Sequence, residues 1–277
     1  MRKRSREPVS ARNYSEEYYL ESCGGAEFFR KYGPEVLKPP LAHSLRRADL
    51  KRGMSALDIG CGRGELLHQV RRLGARAVGT DYSAAALKLA AEVSGCPVLC
   101  CDAKSLPFPD AAFDRIFFLG IIDHLHDWEL EKCFAEMARV LKPGGFVLIH
   151  TCTNRLYYKS CTYRLRLALA RAGRALGLPL GEPEPPRSEE DERLHVNEHS
   201  YGDLERFLGR IGWKASIEPM PNYKHLLRGL YGDPLPEGFP MLPAPRWKSV
   251  LQAGLLFRPP LDRLLAREFF ARAWPPA

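Results

Sequence analysis

Between residues 54 and 152 short apolar runs alternate with segments of helical spacing. The runs are SALDIG, RAVGTD, PVLCCD, FDRIFFLG and FVLIHTC, and the stretches 65–73, 84–93 and 128–141 lie between them. Continuous apolar strands separated by helices predict a parallel sheet buried on both faces. PVLCC reads as one of its buried strands. Lys-Pro-Gly-Gly at 142–145 ends the third helix, because proline breaks the ladder and glycine accepts positive φ. The fold class is therefore α/β.

The flanks are less regular. Residues 14–32 hold Tyr14, Tyr18, Tyr19, Phe28 and Phe29 in a polar setting, and residues 157–176 form a helical stretch rich in Arg and Leu. The run PLGEPEPPRSEEDER at 179–193 is Pro- and charge-rich and reads as a mobile loop. Ser200 is the expected N-cap of a helix over 200–211. Residues 213–217 and 249–257 read as two closing strands. Residues 261–274 read as an amphipathic helix, with Leu261, Leu264, Leu265 and Phe269 on one side and Arg263, Arg267 and Arg272 on the other. Such a helix suits either a membrane interface, as a peripheral contact, or the chain's own sheet. The resulting domain division is 1–45 as an extension or lid, 46–258 as the main domain with an insertion near 155–198, and 259–277 as the terminal helix.

Composition narrows the class. The 277 residues suffice for one α/β domain with additions, and a net charge of +8 tolerates anionic partners without specifying one. The cysteines, at 23, 61, 96, 100, 101, 133, 152 and 161, form no CxxC pair, which disfavours structural zinc. The basic N-terminus has no apolar stretch behind it, so it is not expected to be a secretory signal. Reduced thiols and a cytoplasmic location are the expectation. No apolar run approaches the roughly 20 residues of a membrane span.

The segment with chemistry is Leu57-Asp58-Ile59-Gly60-Cys61-Gly62-Arg63-Gly64-Glu65. Glycines after a strand and before a helix let the backbone turn sharply and approach a ligand. A dinucleotide fingerprint would place Gly or Ala three residues after Gly62, where this chain has Glu65, and a P-loop would need Gly-Lys-Ser/Thr. Asp58 beside the loop suits a cationic group better than a diphosphate. Asp81 and Asp102 follow the next two strands, where a ribose diol and an adenine amino group would be within reach. Each acid alone could as well cap a turn; together they point to one site at the C-terminal edge of the sheet.

The stretches ALDIGCGRGELL, VGTDYSAAAL, CDAKSLPFPDAAFD, FLGIIDHLHD and LKPGGFVLI resemble class I S-adenosylmethionine-dependent methyltransferases, of the group related to ubiquinone and menaquinone methyltransferases. NEHSYGDLERFLGRIGW resembles the helix after that family's fifth strand. The resemblance implies a doubly wound, Rossmann-like, seven-stranded, mostly parallel sheet whose last strand is antiparallel. It also implies S-adenosyl-L-methionine as cofactor. Gly60, Cys61 and Gly62 would hold its methionine and ribose parts, with Asp58 near the amino group. Asp81 would bind the ribose hydroxyls, Tyr82 would pack beside the adenine, Asp102 and Ala103 would read the adenine, and Leu119 and Gly120 would lie under the methionine.

Methyl transfer needs alignment of the acceptor, and a general base only if the acceptor must lose a proton. Asp123 and His124, after the fourth strand, are candidates for base or acceptor contact; capping the next helix is the plainer role. His199, with Asn197 and Glu198, is a second candidate for the acceptor pocket. His124 and His126 lack an evident third ligand for a metal. The Asn/Asp-Pro-Pro-Tyr run of adenine- and glutamine-methylating relatives is replaced by Leu119-Gly120-Ile121-Ile122, which counts against those acceptors and mildly against nucleic acid. The expected acceptor is a small molecule, a sugar or a lipid-linked compound, methylated at O or C. A nicotinamide-dependent oxidoreductase and a silent nucleoside-binding protein are the alternatives.

Overall fold

A computed structural model describes residues 7–151, 154–185, 193–220 and 259–276. Among these residues one sheet has seven strands, in the order β3-β2-β1-β4-β5-β7-β6. The strands are β1 (Ser55–Ile59), β2 (Arg76–Asp81), β3 (Val98–Cys100), β4 (Phe113–Leu119), β5 (Leu141–Thr151), β6 (Lys214–Met220) and β7 (Glu268–Trp274). The first five pair in parallel, and β7 runs antiparallel between β5 and β6.

Helices α1 (Ala26–Tyr32) and α2 (Pro39–Arg47) precede the sheet, and α3 (Glu65–Arg72), α4 (Ala84–Ser94) and α5 (Asp127–Val140) connect its parallel strands. Beyond β5 lie α6 (Tyr158–Cys161), α7 (Tyr163–Ala175), α8 (Tyr201–Arg210) and α9 (Leu261–Leu265). Neighbouring residues of one strand enter opposite cores, as period-2 geometry requires. Leu57, Ile116 and Phe118 pack with Phe134, Met137 and Phe207 from α5 and α8. Ala56 and Phe117 pack with Leu66, Leu67 and Val70 of α3 and with α2. The chain adds β2 and β3 on one side of β1, then crosses to β4 on the other. That reversal leaves a crevice between the loops after β1 and β4, where open α/β sheets bind ligands.

Several expectations need correction. The terminal amphipathic helix over 261–274 is not there: α9 ends at Leu265, and Glu268–Trp274 is the strand β7. Apolar positions 261, 264, 265 and 269 fit a helical period, but EFFARAW also fits a strand covered on both faces. Phe269, Ala271 and Ala273 pack into one core, while Phe270 stacks on His150 and Trp274 meets Phe146. Pairing on both sides decides it, so residues 259–277 are no separate terminal unit. The other expected closing strand, 249–257, lies outside the described residues.

PVLCC is a half-buried edge strand rather than a buried one, and Cys100 is exposed. The helical stretch 157–176 is interrupted at Thr162. Of the expected loop 179–193, residues 179–185 have no regular structure and 186–192 lie outside the described residues. Within the extension 1–45, α2 packs against the sheet and belongs to the main domain, leaving the residues before it as the covering segment. The Ser200 cap is as expected: its hydroxyl accepts from the Asp203 amide, and the Asp203 carboxylate accepts from the Ser200 amide at 3.0 Å. No described helix is long and apolar enough to cross a membrane.

Candidate functional site

The loop between β1 and α3 is held by its backbone. The Gly60 and Cys61 amides donate to the Thr80 carbonyl at 2.7 and 2.9 Å, and the Gly62 amide donates to Asp81 Oδ2 at 3.2 Å. Gly60, with φ of 69°, faces the β4 loop so closely that a Cβ would stand 2.3 Å from Ile121 Cδ1. Gly64, at φ 82°, lies against the Ala90 backbone, where a Cβ would come within 2.8 Å. Glycine is required at both positions.

Three acids converge here. Asp58 is buried, and burial together with Glu65 and Asp81 raises its carboxyl well above the usual range. Asp81 is raised by burial too, although amides of Ser83, Gly62 and Tyr82 and the Tyr19 hydroxyl oppose this. Its Oδ1 accepts from the Ser83 amide at 2.9 Å. A carboxylate has about four lone-pair positions, so both oxygens keep acceptor capacity toward the crevice. Burial pushes the Cys61 thiol up, which leaves it a packing residue rather than a nucleophile.

The segment before α2 roofs this loop. Arg63 is 3% exposed and donates through Nε to Glu65 Oε1 at 2.8 Å. Its other nitrogens donate to the carbonyls of Tyr19 at 2.6 Å and Gly24 at 3.2 Å. The Tyr19 ring lies over Gly62, and the Ser83 hydroxyl donates to the Tyr14 carbonyl at 2.8 Å. Beneath this roof lies a cavity of about 910 Å³. It is large enough for a nucleoside-sized ligand with a second molecule beside it.

All ten residues expected to bind the cofactor line that cavity: Asp58, Gly60, Cys61, Gly62, Asp81, Tyr82, Asp102, Ala103, Leu119 and Gly120. Asp102 sits at the rim rather than inside, with its side chain half exposed and Oδ2 2.9 Å from Lys104 Nζ. The Tyr82 hydroxyl is pushed up to about 12 by burial. Placing these residues around one space is what folding adds to the motif.

The catalytic candidates divide. His124 lines the cavity, with Nδ1 2.8 Å from the Tyr14 hydroxyl and its ring edge-on to His195 at 4.8 Å. Asp123, one residue earlier, turns into the core and has no exposed surface. Its Oδ1 accepts from Thr151 Oγ1 at 3.0 Å, and its carbonyl accepts from the Val196 and Asn197 amides. Asp123 therefore ties β5 and the 195–200 segment to the β4 loop instead of facing an acceptor. His199 is also buried away from the cavity, beside the Phe207 ring, and burial lowers its pKa. Neither Asp123 nor His199 lines the cavity in this arrangement.

Sequence reasoning missed several lining residues. Tyr14, from the roof, reaches His124 across 110 positions of sequence. His150 on β5 and Glu268 on β7 form a buried pair at 2.8 Å, 118 positions apart. Glu129 is fully buried and paired with Lys104 Nζ at 2.8 Å. The capping position of Glu129 after His126 was the one local signal among them. No cluster of metal-binding side chains occurs among the described residues, and the described cysteines are all free.

Residues 57–149 match the family model described as "Methyltransferase domain". Over 103 residues the chain is 39% identical to the probable tRNA methyltransferase 9B of Mus musculus, covering 37% of this chain and 22% of that one. Over 117 residues it is 36% identical to the ubiquinone/menaquinone biosynthesis C-methyltransferase UbiE of Bordetella avium, covering 39% of this chain and 44% of that one. The chain thus spans less than half the length of these curated relatives. The fold is similar to that of Haemonchus contortus phosphoethanolamine N-methyltransferase 2 in complex with S-adenosyl-L-methionine. There the TM-score is 0.59 at 20% identity, over 97% of this chain and 60% of the other.

Proposed function

We propose, from the match of residues 57–149 to a methyltransferase domain, that the chain is a class I, S-adenosylmethionine-dependent methyltransferase that transfers a methyl group to a small-molecule, sugar or lipid-linked acceptor. The observation that carries the reading is the convergence of the buried Asp58, Glu65 and Asp81 on the cavity beside the glycine loop, where burial first and then these two neighbours raise the Asp58 carboxyl. Arg63 answers Glu65, and Asp58 and Asp81 have no cation of their own among the described residues. An α-amino group and a sulfonium supply positive charge, whereas a pyrophosphate would add to the repulsion. This disfavours a nicotinamide dinucleotide.

Asp58 would hold the amino group and Asp81 the ribose hydroxyls. Gly60 and Gly62 would leave the loop backbone open to the ligand, with Leu119 and Gly120 beneath it. Tyr82, Asp102 and Ala103 would flank the adenine. S-Adenosylmethionine, when bound, supplies an activated methyl group, so the chain's task is to align the acceptor and exclude water. The roof at Tyr14 and Tyr19 suits the second task. For a hydroxyl or carbon acid acceptor, His124, which lines the cavity beside Tyr14, would take the proton.

O- or C-methylation is the chemistry this reading favours, and a cavity of about 910 Å³ suits an acceptor of limited size. The relative named for tRNA is matched over 37% of this chain and the relative named for quinone biosynthesis over 39%, so the acceptor class rests on the cavity rather than on either likeness. Calorimetry tests the cofactor assignment: S-adenosylmethionine and S-adenosylhomocysteine should bind and NAD should not. NAD binding without S-adenosylhomocysteine binding would overturn it. Transfer of a labelled methyl group to tRNA, with none to quinone precursors or other small acceptors, would overturn the acceptor class alone.

A further inference from the structure

Helix α7 carries Leu165 and Leu169 on the outside, while Leu167 is half-buried. Its buried positions are Ala170 and Gly173, and Leu180 folds back on Gly173 so closely that no Cβ would fit. Leu165 and Leu169 are 62% and 61% exposed, and Leu176, just past the helix end, is 80% exposed. At about 100° per residue these three fall on one stripe. Leu156, Tyr158, Leu178 and Leu180 are exposed nearby. A helix that only covers a core shows the reverse pattern, with its leucines inward.

Charge supplies the second observation. Helix α7 carries Arg164, Arg166, Arg171 and Arg174 and no acid; the first acid after it is Glu182, and residues 183–193 add five acids and two arginines. Arg171 and Arg174 share the Glu182 carboxylate. Arg164 and Arg166 leave the helix on either side of Leu165, about 100° from it. An apolar stripe flanked by cations complements a surface that is apolar inside and anionic at its edge.

We propose that α7 seats this protein on an anionic lipid surface, its leucines at the acyl boundary and its arginines among the headgroups. Pairing through a second copy would set arginine against arginine. The inference does not depend on the methyl-transfer reading. It also differs from the terminal-helix expectation, whose residues are committed to the sheet.

Flotation of the full chain tests it, with vesicles of phosphatidylcholine alone and vesicles containing about one third phosphatidylglycerol. The chain should float with the anionic vesicles at low salt and progressively less as salt rises. The double substitution Leu165→Glu, Leu169→Glu should weaken partition roughly tenfold or more, with the melting temperature and S-adenosylhomocysteine binding unchanged. Arg164→Gln with Arg166→Gln should weaken it less and reduce its salt dependence. Failure of the wild type to float, or unchanged flotation of the leucine variant, overturns the proposal. A lowered melting temperature in that variant with flotation intact would assign the stripe to packing within the chain. A dimer that the variant dissolves, with no flotation of the wild type, would assign it to a second copy.

Discussion

The two ends of the cavity are built in different ways. The end we propose for the cofactor comes from adjacent strand–loop–helix units, with Asp58, Gly60, Gly62 and Asp81 all within 24 residues of sequence. Its polar groups are held by backbone amides of the same units, such as Gly62 and Ser83 on Asp81. The end we propose for the acceptor is assembled from the roof, the β4 loop, β5, the 195 segment and β7, through contacts such as Tyr14–His124 and His150–Glu268. A site made from one supersecondary unit is specified locally and serves one common cofactor. A site made from distant segments can change its acceptor without disturbing that unit.

The largest expected effect breaks the joint between the two ends. Arg63 ties the roof to the glycine loop, and Arg63→Leu would leave Glu65 buried without its partner. We expect a loss of about 3–5 kcal/mol in denaturant unfolding. Proteolysis should accelerate in the roof, before α2, and Arg63→Leu with Glu65→Leu should recover part of the stability. Equal stability of the single variant would show that the roof is held otherwise.

Next comes the division between the neighbours Asp123 and His124. His124→Ala should slow turnover about 10²–10⁴-fold if it takes the proton, while cofactor affinity stays near wild type. Asp123→Asn weakens a buried hydrogen bond instead. It should lower stability by about 1–3 kcal/mol, with a much smaller effect on turnover. The opposite pattern would return Asp123 to the acceptor site.

The smallest effect sharpens the cofactor end alone. Asp58 has a raised pKa in the free protein, and a bound ammonium group would lower it, so binding releases a proton. S-Adenosylhomocysteine affinity should therefore rise with pH, by up to about tenfold per unit, until Asp58 is ionised in the free protein. Asp58→Asn should bind more weakly and flatten that slope. An affinity that falls with pH in this range would contradict the assignment.

The same contrast explains what could be read before folding. The five parallel strands, the glycine loop and the Ser200 cap are local patterns, and they stand where expected. β7 was misread because a few apolar residues fit both periods, and only pairing with β5 and β6 selects the strand. Asp123 and His124 adjoin in sequence, yet one faces Thr151 and the other the cavity; no spacing rule separates them. The His150–Glu268 pair is not legible at all, since its partners meet only when β7 inserts beside β5.

The most direct measurement is calorimetric titration of S-adenosylhomocysteine into wild type, Asp81→Ala and His124→Ala. Asp81→Ala removes hydrogen bonds to a charged acceptor, each worth about 1.5–3 kcal/mol, and should weaken binding by at least about tenfold. His124→Ala should leave the affinity nearly unchanged. Wild-type affinity in Asp81→Ala, or a large loss in His124→Ala, would contradict a cofactor end that is built and bound independently of the acceptor end.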